Sequence, residues 1–119
     1  MYKFERLKVY QLALEYTDRV YEVAERLPRG EEYNLSSQIK RAATSIVLNI
    51  AEGSTGQSDP EQARFLAMAI RSLLETVACK HLIERRSYLK PDCPLLRALD
   101  QLGRILARGL QAMRKSVLA

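Results

Sequence analysis

The feature that most constrains the fold is a recurrence of apolar residues every three or four positions, found in four stretches of the 119-residue chain. This spacing places apolar side chains on one face of an α-helix. Breaks that contain proline or glycine separate the stretches, and no segment alternates with period two for long enough to make a strand. The pattern predicts helices over about 4–27, 34–52, 58–88 and 93–116.

Four helices joined by short breaks predict an all-α fold, an antiparallel up-and-down four-helix bundle. Hydrophobic residues make up 47% of the chain and charged residues 28%, which is typical of a folded globular protein. The length suits a single domain over residues 1–119. The predicted core residues are Val9, Leu12, Ala13, Tyr16, Val20, Val23, Ala24, Leu27, Leu35, Ile39, Ala42, Ala43, Ile46, Ile50, Phe65, Leu66, Ala69, Leu73, Val77, Leu82, Leu95, Leu99, Leu102, Leu106, Leu110 and Met113.

Local signals predict where the helices end and begin. Gly53 stands where a left-handed residue would close the second helix. Ser58 and Glu61 have the spacing of a capping box, in which each side chain satisfies a backbone N–H of the other residue. Asp92, in the last break, is the predicted cap of the fourth helix.

The glycines near residue 56 raise the question of a phosphate-binding loop. A Walker loop ends in Gly-Lys followed by Ser or Thr, and it leaves a β-strand. Here Gly56 is followed by Gln57 and Ser58, and the segment leaves a predicted helix. We interpret the segment as a corner between two helices.

The second helix carries the motif Gln-Ile-x-Arg-Ala-x-x-Ser-Ile-x-x-Asn-Ile-Ala-Glu-Gly over residues 38–53. It resembles the signature of small four-helix-bundle proteins encoded by intervening sequences in bacterial large-subunit ribosomal RNA genes. Weaker similarity extends through Phe4–Tyr10, the Leu27-Pro28 corner and Arg64–Glu75. The matching motif positions are Gln38, Arg41, Ser45, Asn49, Glu52 and Gly53.

The bundle also resembles the accessory variability proteins of diversity-generating retroelements, which assist a reverse transcriptase. The resemblance implies a homopentamer that binds RNA or DNA, with a reverse transcriptase as a further partner, and it leaves the choice between the two subfamilies open. The chain departs from the pattern at Val47, where the family often has proline, and it has no arginine in residues 54–57. A nucleic-acid contact through an arginine at that place is therefore not carried over.

The positive charge is concentrated in the last third of the chain. The whole chain has a net charge of +5, whereas residues 80–119 alone hold 9 basic and 3 acidic side chains, a net charge of +6. At 100° per residue, four basic residues of the fourth helix fall within about 40° of one another. They are Arg97, Arg104, Arg108 and Lys115, and a second cluster at the end of the third helix consists of Lys80, Arg85, Arg86 and Lys90.

By themselves these basic residues fit either an ordinary solvated helix face or a nucleic-acid-binding surface, on which neutralised phosphates release counterions. Together with the family resemblance they favour a nucleic-acid-binding accessory protein. Recognition of the backbone is expected rather than recognition of bases, because no RNA-recognition, KH or zinc-finger signature is present. The alternative is a structural bundle that binds a protein partner without contacting nucleic acid.

The polar face of the second helix has two interpretations. Gln38, Arg41, Ser45 and Glu52 fall within about 60° of one another, with Asn49 near the edge. They either form an interface with neighbouring helices or subunits, which we favour, or contact a ligand such as RNA.

No catalytic, metal-binding or cofactor site is predicted. His81 is the single histidine, and Cys79 lies about 200° from it around the helix, so the two side chains cannot meet within that helix. Cys79 is expected to be a small buried hydrophobe, and its spacing from Cys93 matches no metal or redox motif. The chain has no apolar run of roughly 20 residues and no signal-peptide core at its N-terminus. We therefore expect a cytoplasmic protein that is not an enzyme and does not enter a membrane.

Overall fold

The computed structural model describes residues 1–56 and 58–119. Two short 3-10 turns, Lys3–Arg6 and Arg29–Glu31, precede the first and second helices. Within the described ranges there is no strand, so the predicted all-α class is confirmed. The four helices are α1 (Lys8–Glu25), α2 (Leu35–Gly53), α3 (Asp59–Arg85) and α4 (Pro94–Leu118).

The helices form a bundle in which each packs against two neighbours. Both α1 and α3 contact α2 and α4, whereas no Cα atoms of α2 and α4 lie within 8 Å of each other in the described ranges. Lys80 near the end of α3 lies beside Asp100 near the start of α4, and Arg114 near the end of α4 donates to the Ala63 carbonyl oxygen near the start of α3. The start of α2 meets the end of α1 where Ser36 donates to the Ala24 carbonyl oxygen, and the end of α2 meets the start of α3 at Gly53 and Phe65. Consecutive helices are therefore antiparallel, and α2 and α4 occupy diagonally opposite corners.

Tyr16 of α1 crosses the centre of the core. Its side chain is 2% exposed, and its hydroxyl lies 2.7 Å from Thr76 Oγ1 of α3, which donates to the Leu73 carbonyl oxygen. Burial raises the pKa of Tyr16 to about 12, because the charged phenolate is disfavoured away from water. A Cβ at Gly103 would lie 3.1 Å from the Tyr16 ring, so the absence of a side chain there lets α4 approach that ring.

The first helix is shorter than predicted. The expected helix over 4–27 is divided at Leu7, whose backbone is extended (φ −72°, ψ 131°), and α1 ends at Glu25. The Phe4 ring stacks on Tyr2 and meets Tyr10 edge-on, with ring centroids 5.8 and 4.9 Å apart. This aromatic cluster accompanies the separate 3-10 turn, and helical periodicity does not detect it.

Several predicted helix ends are wrong in detail. Gly53 is the last helical residue of α2 and is not left-handed; a Cβ there would lie 2.7 Å from Phe65 Cβ, so its role is close helix packing. Ser58 caps α3 as predicted, but the Glu61 carboxylate pairs with Arg64 and not with the cap backbone. The interpretation of a corner between two helices is confirmed, although Gln57 lies outside the described residues.

The ends of α3 and α4 also differ from the prediction. The third helix ends at Arg85, before the predicted 88, because Ser87 is left-handed (φ 60°) and the Tyr88 N–H turns back to the Ile83 carbonyl oxygen. Asp92 is not the cap of α4, since Pro94 takes the first helical position and the cap position falls on Cys93. The helix continues to Leu118, two residues beyond the predicted end.

Most predicted core residues are buried, with corrections on α3 and α4. Leu82 is 48% exposed, and Ile83 takes its place in the core. Leu95, Leu102 and Met113 are only partly buried at the edge of the core. The fully buried leucines of α4 are Leu96, Leu99, Leu106 and Leu110.

Candidate nucleic-acid interface

The basic side chains of α4 form a surface that we call the α4 stripe, defined as Arg97, Arg104, Arg108 and Lys115. All four side chains are exposed. The buried positions of α4 lie on the other side of the helix, because Leu99 and Leu106 are about 160–180° from Arg97 at 100° per residue. Packing of the leucines therefore turns the stripe towards solvent.

One member of the α4 stripe is anchored by an acid. Arg104 Nε lies 3.0 Å from Asp100 Oδ2, and Lys80 Nζ of α3 lies 3.6 Å from Asp100 Oδ1. The hydrogen bond from Arg104 holds the pKa of Asp100 below its ordinary value, with the charge of Lys80 acting in the same direction. Asp100 therefore stays ionised at neutral pH and orients Arg104 while joining α3 to α4.

The other three members of the α4 stripe differ from Arg104 in having no acidic partner among the described residues. Arg97, Arg108 and Lys115 form no ion pair with any residue in the described part of the chain. On the helical projection the stripe is flanked by Gln101 and Gln111, and Asp100 is the nearest acid. The stripe thus presents a positive surface that local carboxylates neutralise only at Arg104.

The second basic cluster lies at the corner between α3 and α4. Arg85, Arg86 and Lys90 are exposed, and the short connection to Pro94 places them at the end of the bundle where the α4 stripe begins. Lys80, in contrast, is largely covered and pairs with Glu84 as well as Asp100. The corner therefore extends the positive surface, but Lys80 supports the structure and does not face solvent freely.

Glu31 lies near this corner and moderates its charge. The Tyr88 hydroxyl donates to Glu31 Oε2 at 2.6 Å. This hydrogen bond, with one from Asn34 and the charge of Arg86, lowers the pKa of Glu31, so the carboxylate persists at neutral pH. One acid therefore borders each basic surface, Asp100 beside the α4 stripe and Glu31 near the corner.

The motif of α2 divides into an inward and an outward half. Ser45, Asn49 and Gly53 face α3: Asn49 Nδ2 donates to the Ser45 carbonyl oxygen (2.8 Å) and to Ser45 Oγ (3.0 Å). Ser72 Oγ of α3 lies 3.0 Å from the same Ser45 Oγ. These hydrogen bonds give the inward half a structural role within one chain, while Ser45 and Asn49 also border an open groove beside α2.

The outward half of the motif consists of Gln38, Arg41 and Glu52, all exposed. Gln38 donates to Asn34 Oδ1 at 2.9 Å, while Arg41 and Glu52 make no side-chain hydrogen bond or ion pair within the described part of the chain. Arg41 and Glu52 line an open groove of about 700 Å³ together with Tyr21, Tyr33 and Leu48. Within the described part of the chain, Arg41 and Glu52 are therefore available to a partner.

Sequence reasoning missed the apolar part of this groove. Tyr33 is 90% exposed and Leu48 57% exposed. Leu48 follows Arg41 by seven residues, which puts both on the same face of the helix, so the sequence carried a signal for Leu48. Tyr33 precedes α2, and the helical period gives no information about its position.

The cysteine and histidine considered as a reactive pair are separated in the fold. Cys79 is buried, as predicted, and its burial raises the pKa of its thiol above the ordinary value. His81 is exposed.

Within the described ranges, no helix is long and apolar enough to cross a membrane.

Residues 5–108 match a family model described as 23S rRNA-intervening sequence protein. The chain belongs to this family. The intervening-sequence-protein fold is also seen in a crystal structure from Bacteroides thetaiotaomicron, a protein of unknown function from the S23 ribosomal protein family. That chain is 25% identical to this one, with a TM-score of 0.80 over 90% of this chain and 98% of the other. No curated protein sequence matches the chain.

Proposed function

We propose that this intervening-sequence protein is a non-enzymatic, homo-oligomeric accessory protein that binds RNA or DNA through the phosphate backbone. The observation that carries the proposal is the α4 stripe, four basic side chains exposed along one helix with a single acid beside them. Arg85, Arg86 and Lys90 would extend the contact around the corner of the bundle.

The chemistry of the stripe suits phosphates. Its first and last positions, 97 and 115, are 18 residue steps apart, or roughly 27 Å of helix at 1.5 Å per residue. Arginine binds phosphate oxygens in a bidentate geometry, and each neutralised phosphate releases counterions. Since the α4 stripe is a run of charge without a shaped array of donors, it favours binding to the backbone over reading of a sequence.

A charge-matched pair of variants tests the location of the site. The triple substitution Arg97→Gln, Arg108→Gln and Lys115→Gln removes three charges and leaves the Asp100 ion pairs intact. Its control, Arg6→Gln, Arg26→Gln and Arg29→Gln, removes three exposed charges elsewhere. At low salt we expect the first variant to lose RNA and DNA binding and the control to retain most of it. Equal losses in both would mean that only net charge matters.

The proposed self-association uses the outward half of the α2 motif and the groove beside it. Exposed Leu48 and Tyr33 offer apolar area, and Arg41 and Glu52 offer charges of both signs for a neighbouring copy. Family resemblance suggests that the assembly has five subunits. The same groove also favours the second candidate function, in which the bundle binds a protein partner such as a reverse transcriptase. A cytoplasmic location remains part of the proposal.

Sedimentation velocity tests the interface. Arg41→Ala should reduce the mass of the assembly, because the proposed interface loses a charge that pairs with no acid among the described residues. Lys8→Ala, an exposed basic residue near the start of α1, is the control and should leave the mass unchanged. An unchanged mass for Arg41→Ala, together with weaker nucleic-acid binding, would move Arg41 from the interface to the binding surface.

A further inference from the structure

A crevice of about 210 Å³ lies between α3 and α4, beside the α4 stripe. Leu74 and Val77 of α3 form one wall, Ala107 of α4 forms the other, and the Tyr16 ring and Gly103 lie at its base. Lys80, Asp100 and Arg104 line its rim. The crevice therefore combines apolar walls with a charged edge.

Small residues of α4 keep the crevice open. Gly103 has no side chain and Ala107, one turn later, has only a methyl group, so neither fills the space opposite Leu74 and Val77. The volume is below the roughly 300–1,000 Å³ of pockets that hold drug-sized ligands. A single planar ring system fits this size better than a whole nucleotide does.

The position of the crevice links it to the proposed backbone contact. Arg104 belongs both to the α4 stripe and to the rim of the crevice, and Arg108 follows one turn later. Leu74 stays 61% exposed and offers an apolar surface beside these charges. A strand held on the stripe by its phosphates would therefore bring its bases next to the crevice.

We propose that the crevice takes an unpaired nucleobase from the strand bound on the α4 stripe. The inference rests on the proposed function and adds that the preferred substrate is nucleic acid with unpaired bases. Bases of a continuous duplex are stacked inside the helix and cannot enter without being flipped out, whereas unpaired bases can lie between apolar side chains. The contact tolerates any sequence, since every base has an apolar face.

Two substitutions test the crevice with a 20-nucleotide single-stranded RNA and a duplex of the same sequence. Ala107→Leu fills the space, and Leu74→Ser removes the exposed wall at a position where the fold does not need the side chain. Each should weaken single-strand binding about tenfold, because the base loses apolar contact area in the crevice, and leave duplex binding unchanged. The control Ala98→Leu adds the same bulk at an exposed position of α4 and should change neither single-strand binding nor duplex binding.

Methyl NMR gives a readout that does not depend on a polymer. A nucleoside 5′-monophosphate should shift the methyl signals of Leu74, Val77 and Ala107, whereas ribose 5-phosphate, which lacks a base, should not. The crevice inference is wrong, while backbone binding stands, if neither compound shifts these methyl signals and the crevice variants lose the same affinity for single-stranded and duplex RNA. If the unaltered protein binds neither RNA form at low salt, the proposed function fails and the inference fails with it.

Discussion

At Gly53, one missing methyl group sets how closely α2 and α3 approach each other. The ideal Cβ position there lies 2.7 Å from Phe65 Cβ, a distance that real Cβ atoms essentially never show. Gly103 has the same kind of role against Tyr16, with its ideal Cβ 3.1 Å from the ring. These two glycines are required by packing between helices, since neither has a positive φ.

We predict that Gly53→Ala destabilises the protein. The added methyl group forces α2 and α3 apart, and overpacking of this kind typically costs about 1–3 kcal/mol, only partly offset by the helix propensity of alanine. Thermal unfolding should show a Tm lower by roughly 5–10 °C. The control is Gly30→Ala, where nothing lies within 4 Å of the new Cβ. Equal Tm values for the two variants would contradict the close approach.

Tyr16 gives a second prediction, in alkaline solution. Its folded-state pKa of about 12 lies above the ordinary 10.0, so the unfolded chain loses this proton first as pH rises. The contribution of Tyr16 to the free energy of unfolding is therefore complete below pH 10 and declines between pH 10 and 12, by roughly 2–3 kcal/mol in all. Tyr16→Phe should be less stable than wild type by about 1 kcal/mol at pH 8, because it lacks the hydrogen bond to Thr76.

Urea unfolding of both proteins from pH 8 to pH 12 measures this effect, because the other titrating groups are common to the two proteins. The difference in unfolding free energy should shrink above pH 10 and then reverse. A difference that stays constant across this range would show that Tyr16 does not remain protonated in the folded protein.

At the scale of elements, the apolar period predicts the number, type and order of the helices. It does not predict the break at Leu7, which accompanies a local cluster of aromatic rings, or the role of Gly53, which depends on contact with Phe65 of another helix. On α3 it selects Leu82 where Ile83 is buried, because Leu74 and Leu82 put apolar residues on the exposed side as well. The period therefore identifies a helix more reliably than the face it buries.

In the candidate site, too, the sequence predicts features that lie within one helix and misses those that depend on contacts between helices. Arginine spacing on α4 could be calculated from the sequence, and the structure places those side chains in solvent. The anchoring of Arg104 by Asp100 is a contact between residues four apart, whereas Lys80 reaches Asp100 from another helix. The crevice beside Arg104 depends on three helices together, so no local pattern could have indicated it.

The inward half of the α2 motif leads to a prediction at this scale. Asn49→Ala removes the side chain that bonds to Ser45 next to the α2–α3 contact, and we expect a loss of about 1 kcal/mol in unfolding free energy. Gln38→Ala is the control, because it removes an exposed amide of the same helix whose partner, Asn34, is also exposed. Chemical denaturation should therefore show a lower free energy of unfolding for Asn49→Ala than for Gln38→Ala. A larger loss for Gln38→Ala would reverse the assignment of the two halves.

At the scale of the whole molecule, the two candidate surfaces belong to helices at opposite corners of the bundle. The groove beside α2 and the α4 stripe share no residue, and α2 and α4 do not touch within the described ranges. One chain can therefore contact another copy through α2 while α4 stays open to nucleic acid. This arrangement suits an accessory protein that assembles several basic surfaces on one RNA or DNA.

The measurement that tests this account most directly is the salt dependence of nucleic-acid binding. For duplex DNA the logarithm of the binding constant falls with the logarithm of salt concentration, with a slope of roughly −0.9 for each phosphate neutralised. Wild type should show a steep slope, and the variant Arg97→Gln, Arg108→Gln, Lys115→Gln should have a slope shallower by roughly 2–3 for each bound subunit. A flat slope for wild type, or the same slope in both proteins, would contradict backbone binding by the α4 stripe.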